Sequence, residues 1–346
     1  MTSPSTAESP LNLPAEATPQ SADPSIVALG GGHGLAASLS ALRRITSRLT
    51  AIVTVADNGG SSGRLRSELG VLPPGDLRMA LAALCGDDAW GRTWAQALQH
   101  RFHSSGGLHD HALGNLLIVA LWELLAEERA ATSIGPDAHV AGLDWVGRLL
   151  GARGRVLPMS AVPLDVVAQV RGADGARPDV VEQVRGQVQV ATTSGTVESV
   201  RLEPPDPPAC AEAVAAVREA DCIVLGPGSW FTSVLPHLFV PELSAALHDT
   251  AARRVLTLNL VAQAGETAGF SPHAHVDVLA DHAPRLKIDV VLADSRLVHE
   301  PQRLRASAQR LGAELVLEEL AHDDGSAQHD IQRLASAYRR ICTGRH

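Results

Sequence analysis

Six polar motifs punctuated by glycine supply the side chains in this sequence that are best suited to chemistry. They carry hydroxyl, amide, carboxylate and guanidinium groups, and glycine lets backbone N–H groups come close to a phosphate. The first and fifth motifs directly follow short apolar runs that predict strands. Loops that leave strand ends are where open α/β sheets bind ligands. The motifs occupy residues 30–35, 56–66, 72–78, 111–117, 226–233 and 259–267.

The first motif has the Gly-x-Gly-x-Gly spacing that forms half of a dinucleotide-binding fingerprint. Asp57 lies at the end of the next predicted strand, where a ribose-binding carboxylate belongs. A tight turn without a ligand is the alternative interpretation. His33 fits a phosphate contact and a helix cap equally well. We expect this loop to contact a ligand through Gly31, Gly32, His33 and Gly34.

The second motif concentrates hydroxyls and free N–H groups in front of two arginines. The planar guanidinium groups of Arg64 and Arg66 match phosphate oxygens. Asp57 is also a candidate ligand for Mg²⁺, because a carboxylate combined with phosphate oxygens is a usual magnesium arrangement. The alternative is a flexible polar turn. The expected ligand contacts of this motif are Asp57, Asn58, Gly59, Ser61, Ser62 and Arg64.

The third and fourth motifs each open a predicted helix. Asp76 can cap the first of these helices and line a site at the same time. Arg78 lies in the first turn, where a cation is unfavourable beside the positive helix end, so we expect it to have an acidic or phosphate partner. His111 precedes the second helix, and Asn115 either reads the edge of a base or bonds a neighbouring loop. All four are predicted ligand contacts.

The fifth and sixth motifs repeat the phosphate-loop logic at other strand ends. Trp230 either stacks on a base or sugar or anchors its loop in the core. The amides and the carboxylate of the sixth motif suit sugar hydroxyls. The predicted ligand contacts are Gly226, Gly228, Ser229, Thr232, Asn259, Gln263 and Glu266. No pattern of a serine or cysteine nucleophile with a histidine emerges, so the catalytic residues stay unassigned.

The elements that must position these motifs alternate as strands and helices. A strand over 25–31, a helix over 35–47 and a strand over 49–56 form a βαβ unit, which predicts a parallel sheet. Several helices are predicted over about 76–150. A water-facing antiparallel β patch, including Val184, Val188 and Val190, is predicted over about 154–203. Strands over 222–225, 254–260 and 289–293 follow, with helices over 209–220 and 331–341. We predict a Rossmann-like α/β domain over 25–346, with helices on both sheet faces, behind a disordered tail over 1–24.

Composition excludes several classes of protein. The chain has 346 residues and one lysine, Lys287, which is not part of a Gly-Lys-Ser/Thr triplet, so there is no Walker A loop. The net charge of −9 argues against general nucleic-acid binding but leaves room for a local arginine pocket for one diphosphate. The four cysteines form no Cys-x-x-Cys pair, and reduced thiols in a cytoplasmic protein are expected. No apolar run is long enough to span a bilayer, and the N-terminus lacks the features of a signal peptide. His109, Asp110 and His111 resemble a metal cluster by composition only, because no further ligand has suitable spacing.

In their order, the six motifs resemble the family of the bacterial gluconeogenesis factor YvcK, which is related to the 2-phospho-L-lactate transferase CofD. The resemblance covers about residues 26–294 and is strongest over 57–66, 73–78 and 226–233. The departures include His33 in place of threonine, Asn58 in place of aspartate and Met79 in place of asparagine. The loss of the second aspartate weakens the magnesium prediction.

The resemblance implies a cytoplasmic protein that binds UDP-sugars, above all UDP-N-acetylglucosamine, and that supports cell shape and wall synthesis on gluconeogenic carbon sources. It implies no established catalytic activity and no required cofactor, with magnesium as an optional ligand. Proteins of wall synthesis or regulation are candidate partners, and the formation of a homo-oligomer is left undecided. The alternative is a magnesium-dependent transferase like CofD that joins a phosphorylated hydroxy acid to a deazaflavin acceptor. A third hypothesis, that the protein is an NAD-dependent dehydrogenase, is supported by the first loop alone.

Overall fold

A parallel sheet of seven short strands forms the centre of the protein, in a computed structural model that describes residues 23–128, 134–263 and 265–344. The strands follow the order β10-β9-β8-β7-β1-β2-β3, and every neighbouring pair is parallel. Most of them are continuous apolar runs, as a sheet covered by helices requires. They are β1 (Ile26–Gly30), β2 (Leu49–Val53), β3 (Arg155–Pro158), β7 (Cys222–Leu225), β8 (Arg253–Thr257), β9 (Val290–Asp294) and β10 (Glu314–Glu318).

Helices flank the sheet and connect its strands. Four of them, from α3 to α6, form the helical block expected between β2 and β3. The bounds are α1 (Gly32–Leu42), α2 (Gly60–Leu69), α3 (Gly75–Leu84), α4 (Ala89–Gln99), α5 (Leu113–Glu128), α6 (Pro136–Leu150), α7 (Gln187–Ala191), α8 (Ala211–Arg218), α9 (Pro241–Asp249), α10 (Pro272–His282), α11 (Pro301–Arg310) and α12 (Ile331–Thr343). A π-helical turn (Trp230–Val234) and a 3-10 helix (Leu235–Phe239) follow β7.

A small antiparallel sheet lies beside the main one. Its order is β5-β4-β6, formed by β5 (Val181–Arg185), β4 (Asp165–Arg171) and β6 (Thr196–Glu203). The predicted fold class, a mainly parallel α/β sheet with a helical block and an antiparallel patch, is therefore confirmed. Residues 1–22 of the predicted tail lie outside the described residues.

Several predicted boundaries were wrong. Val188 and Val190 lie in α7, because Gly186 adopts a left-handed φ of 102° and ends the strand before them. The predicted strand over 49–56 stops at Val53, although the residues that follow stay buried. The segment Arg155–Pro158 pairs with β2 in the main sheet and does not join the antiparallel patch.

Two of the four cysteines are paired. Cys222 at the start of β7 and Cys342 in α12 form a disulfide, so the expectation of four reduced thiols was wrong for this pair. Cys85 and Cys210 are free and buried. Within the described ranges, no helix combines the length and apolar character needed to cross a membrane.

Candidate functional site

The first and fifth motifs meet where the winding of the sheet reverses. β1 pairs with β2 on one side and with β7 on the other, so the chain changes direction between β1 and β7. A Cβ atom on Gly34 would lie 2.6 Å from the Cα of Gly228 and closer still to the Pro227 carbonyl oxygen. Only glycine fits there, and the two loops pack backbone to backbone. Such a reversal point is the usual ligand crevice of an open α/β sheet.

A cavity of about 480 Å³ opens beside these loops, and we call it the crossover cavity. It lies next to α1, whose N-terminal end, at Gly32, has no acidic residue of its own in the first turn. The positive end of a helix attracts anions, and phosphate groups above all. The polar residues that line the cavity come from the first, fifth and sixth motifs and from the segment before α12: His33, Gly34, Gly228, Asn259, Gln263, His322, Gln328 and His329.

Asn259 fixes the fifth-motif loop. Its Oδ1 accepts from the Gly228 N–H at 2.8 Å, and its Nδ2 donates to the Gly228 carbonyl at 2.8 Å. Both ends of the amide are therefore used inside the protein, whereas we had expected the amide to bind a sugar. Gln263 keeps its side chain at the cavity wall, and its backbone N–H bonds the Thr267 hydroxyl.

The segment before α12 belongs to none of the six motifs and was not predicted as part of a site. Its base is held by Asp294, whose Oδ2 accepts from the N–H groups of Leu320 and Ala321 at 2.7 and 2.8 Å. Burial alone would raise the pKa of Asp294, but these hydrogen bonds outweigh burial and lower it. The available signal was a polar run containing two histidines after an apolar segment. Because β10 was not predicted, the run was not recognised as a loop at a strand end.

His329 is the most enclosed polar group in this segment. Its ring is buried, and its Nε2 has no hydrogen-bond partner among the described residues. Burial lowers its pKa to about 4, so the imidazole is neutral at physiological pH. The Leu258 backbone acts to raise this pKa through a hydrogen bond to the ring, so Nε2 is the ring nitrogen left for a bound molecule.

A second set of predicted residues forms a hydrogen-bonded network between α2 and α5, which we call the polar cluster: Ser61, Ser62, His111 and Asn115. Within it, Asn115 Oδ1 is buried without a partner among the described residues. The Ser61 hydroxyl contacts His111 Nδ1 at 3.0 Å and accepts from Asn115 Nδ2 at 3.0 Å. Asn115 also reaches the Ser62 hydroxyl at 3.5 Å. Burial, with a smaller contribution from Arg64, lowers the pKa of His111. The Asn115 amide nitrogen thus bonds the first turn of α2, and contact of Asn115 with a base stays a prediction.

Asp57 and Asp76 bring two carboxylates to the edge of this cluster. A Cβ on Gly75 would lie 2.8 Å from Asp57 Oδ2, and one on Gly31 would lie 2.5 Å from Asp76 Oδ2. Burial and then the charge of Asp57 raise the pKa of Asp76 to about 7. Burial lowers the pKa of Arg78 to about 10, although both aspartates act against this change. The Arg78 guanidinium donates to the Gln99 amide oxygen, and contact of Arg78 with a phosphate stays a prediction.

Three polar side chains of the second motif have protein partners in place of the expected phosphate. Asn58 bonds Gln189 at 2.9 Å and the Val188 N–H at 3.1 Å, which ties the loop to α7. Arg64 donates to the His109 carbonyl at 2.6 Å. Arg66 pairs with Asp165 at 2.7 Å. The motif therefore holds neighbouring elements together, and its Gly59 N–H is taken by Asp57.

The remaining residues of the fifth and sixth motifs form a buried group. Trp230 is fully buried, with its ring edge against His275 at a centroid distance of 5.3 Å, so it anchors its loop in the core. Burial raises the pKa of Glu266 to about 7, although the backbone N–H of Trp230 and the hydroxyls of Thr232 and Ser229 act to lower it. The Gly226 carbonyl accepts from the Ser38 hydroxyl at 3.0 Å.

This combination of a reversal crevice, two facing glycine loops and a helix N-terminus is typical of the open α/β proteins whose ligand crevice lies at such a reversal point. The comparisons agree with that class. A family model described as 2-phospho-L-lactate transferase CofD matches residues 26–337. The chain belongs to this CofD family, and the resemblance inferred from the six motifs is confirmed.

Individual proteins to which the chain is similar include gluconeogenesis factors and a solved structure. A Mycobacterium tuberculosis protein named as a gluconeogenesis factor is 53% identical over 320 residues, which cover 92% of this chain and 90% of that protein. A Listeria innocua gluconeogenesis factor is 34% identical, covering 91% and 94%. A crystal structure of a UPF0052 family member from Bacillus halodurans has a TM-score of 0.77 and 31% identity, with coverage of 90% and 97%.

Proposed function

We propose that this protein is a cytoplasmic regulator that binds a nucleotide-sugar of the UDP-N-acetylglucosamine type, without a required cofactor. In this proposal it acts as a gluconeogenesis factor that supports cell shape and wall synthesis on gluconeogenic carbon sources. The names of its relatives support the first part of that role. Its partners are the nucleotide-sugar and a wall-synthesis or regulatory protein.

The crossover cavity is the observation that carries the proposal. Two glycine loops and the N-terminal end of α1 meet there, and this combination suits a diphosphate. In the proposal, Gly31 to Gly34 and Gly228 face the diphosphate. The volume of the crossover cavity, about 480 Å³, lies in the range of cofactor and small-ligand sites.

The side chains that line the cavity suit a base or a sugar. Gln263, His322, Gln328 and His329 offer amide and imidazole groups there, with both donors and acceptors. We propose that these side chains select the polar edges of the ligand. Arginine and lysine are absent from this lining, so the phosphates must rely on backbone N–H groups and the helix end.

Calorimetric titration of the purified full-length chain with UDP-N-acetylglucosamine tests the proposal, with NAD as the comparison ligand and with and without magnesium. We expect micromolar binding that prefers the UDP-sugar and is independent of magnesium. His322→Ala and Gln328→Ala should each weaken binding by about 1 kcal/mol, the value of one hydrogen bond. Gln309→Ala, at an exposed position of α11, is the matched control. No binding of any UDP-sugar would overturn the proposal.

The second candidate is a transferase like CofD, and the Asp57–Asp76 pair favours it. Asp76 Oδ2 is buried without a partner among the described residues and lies against Gly31, while Asp57 Oδ2 lies against Gly75. Oxygen donors of this kind suit Mg²⁺, which would neutralise charge on a leaving phosphate when bound. Product formation from a phosphorylated hydroxy acid and a deazaflavin acceptor, with magnesium, would establish this activity. Absence of product, with nucleotide-sugar binding intact, would remove it.

A further inference from the structure

Three exposed side chains in the loop between α4 and α5 converge on one point. His103, His109 and Asp110 each bring one potential ligand atom, and these atoms lie within 4.8 Å of one another. Over residues 23–128, 134–263 and 265–344, no other group of three such side chains is this close. We propose that this cluster is a binding site for a transition-metal ion, with Zn²⁺ as the expected occupant.

The spacing of the sequence concealed the third ligand. By composition, His109, Asp110 and His111 look like one group, but His111 turns inward to the Ser61 hydroxyl at 3.0 Å. His103 takes its place from across the loop. The backbone makes this possible because Phe102 N–H bonds the His111 carbonyl at 3.1 Å and Asp110 N–H bonds the Phe102 carbonyl at 2.9 Å.

The loop holds the cluster in a defined shape. Asp110 has a left-handed φ of 59°, which is unfavourable for a residue with a Cβ atom. Arg101 donates to the Asp110 carbonyl at 2.7 Å, and Arg64 donates to the His109 carbonyl at 2.6 Å. These bonds fix the backbone of two ligands before a metal arrives, and such preorganisation favours binding.

The donor set selects the metal. Two imidazoles and one carboxylate are typical zinc ligands, with bonds of about 2.0–2.2 Å. His109 Nε2 and Asp110 Oδ2 are 3.7 Å apart, so one ion can reach both atoms, and rotation of the exposed His103 ring completes the set. Mg²⁺ and Ca²⁺ rely on several oxygen ligands, and this cluster supplies only one carboxylate, so its donor set disfavours both ions.

Three protein ligands leave a coordination position open. His109 and Asp110 also line a groove of about 480 Å³ that runs along the N-terminal part of α2 past Asn58 and Ser67. Zinc sites with three protein ligands keep a fourth position for water or an incoming ligand. We propose that the open position faces this groove and takes water or an anionic oxygen.

Calorimetry with ZnCl₂ on the untagged, chelator-treated full chain tests the site. We expect one zinc ion per chain, no binding heat with MgCl₂, and an affinity at least about tenfold weaker in His103→Ala and His109→Ala. His299→Ala, an exposed histidine outside the cluster, should bind as the parent chain does. Zinc binding that is equal in all three variants, or absent from the parent chain, would overturn the proposal.

Asp110→Gly separates the metal from the fold. Glycine accepts a positive φ, so the metal-free variant should melt at or above the temperature of the parent chain. The increase in melting temperature that zinc produces in the parent should disappear in the variant. An increase of equal size in both proteins would show that Asp110 is no ligand and would contradict the proposed set.

Discussion

The crossover cavity and the polar cluster contain the same kinds of residue but use them in opposite ways. In the cavity wall, polar groups such as His329 Nε2 have no partner among the described residues. In the polar cluster, Ser61 joins His111 and Asn115 through its one hydroxyl. The first region has binding capacity left for an external molecule. The second uses more of its capacity internally and leaves Asn115 Oδ1 without a partner among the described residues.

A motif that is rich in polar groups therefore does not by itself locate a binding site. Asn58 and Arg64 carry the groups best suited to a ligand, yet they bond α7 and the loop before α5. Gly34 and Gly228 carry no side chain, yet they create the crevice by letting two loops touch. Backbone approach, more than side-chain polarity, distinguishes the cavity.

Gly34→Ala should break the cavity with the largest effect. The new Cβ would overlap the Pro227 carbonyl oxygen, which is backbone and cannot rotate away. We expect a loss of about 3 kcal/mol in the free energy of unfolding, at the upper end for overpacking, and loss of nucleotide-sugar binding. Urea denaturation and calorimetry measure the two quantities. Gly175→Ala, where a Cβ meets no atom within 4 Å, is the control. A fully stable variant that binds normally would show that the loops do not touch in solution.

Asp76→Asn probes the carboxylate pair beside the polar cluster. The pKa of Asp76 in the folded chain, about 7, lies above its ordinary value of 3.8. Between these values the folded state keeps a proton that the unfolded state has lost, so stability falls as pH rises through this window. Asparagine does not ionise, so the variant lacks this loss of stability. Between pH 5 and pH 8, its free energy of unfolding should rise relative to that of the parent by on the order of 2 kcal/mol.

Urea denaturation at both pH values measures this gain. Asp174→Asn is the control, because a hydrogen-bonded turn lowers the pKa of that exposed aspartate and leaves its charge constant over this range. The buried Glu266, with its own pKa raised to about 7, gives the parent and both variants the same background slope. A difference between Asp76→Asn and the parent that is equal at pH 5 and pH 8 would contradict the raised pKa.

Much of the fold could be predicted from the sequence because the strands are short apolar runs that end in glycine or polar loops. The strand Cys222–Leu225 matches its predicted range, and the helices between Gly75 and Leu150 fall where they were expected. β10 was missed because its apolar run, Leu315 to Leu317, is only three residues long and partly exposed. Nothing local in the sequence distinguishes such an edge strand from a loop.

The site was harder to predict, because it depends on which strand ends become neighbours. The sequence identified the loops at Gly30 and Gly226 as ligand loops but could not show that they touch each other. The wall formed by His322 and His329 depends on Asp294, which bonds a segment about 26 residues further along the chain. A contact across that separation leaves no periodic pattern to read.

Tyr338→Phe removes a hydroxyl that supports a loop beside the crossover cavity, and it adds no volume to the cavity. The Tyr338 hydroxyl lies 2.8 Å from Ser38 Oγ and 3.0 Å from Thr257 Oγ1, and Ser38 in turn bonds the Gly226 carbonyl. Removing it leaves two buried hydroxyls short of a partner, at a cost of about 1–2 kcal/mol in unfolding free energy. Ser336→Ala, on the exposed side of the same helix, is the control. If calorimetry finds unchanged nucleotide-sugar affinity despite the lost stability, Tyr338 supports only the fold.

Arg64→Ala gives the smallest expected effect and the most direct comparison of sequence with structure. As a phosphate donor, Arg64 would contribute roughly 1.5–3 kcal/mol to binding, the value of a charged hydrogen bond. In the structure its guanidinium bonds the carbonyls of Gly107 and His109 and lines the groove beside α2, outside the crossover cavity. We therefore expect nucleotide-sugar affinity to change by less than about 0.5 kcal/mol, with Arg92→Ala on the exposed face of α4 as the control. A loss of the full charged-bond value, measured by calorimetry, would mean that the loop at 107–109 releases Arg64 when ligand binds. The polar cluster and the crossover cavity would then be two ends of one site.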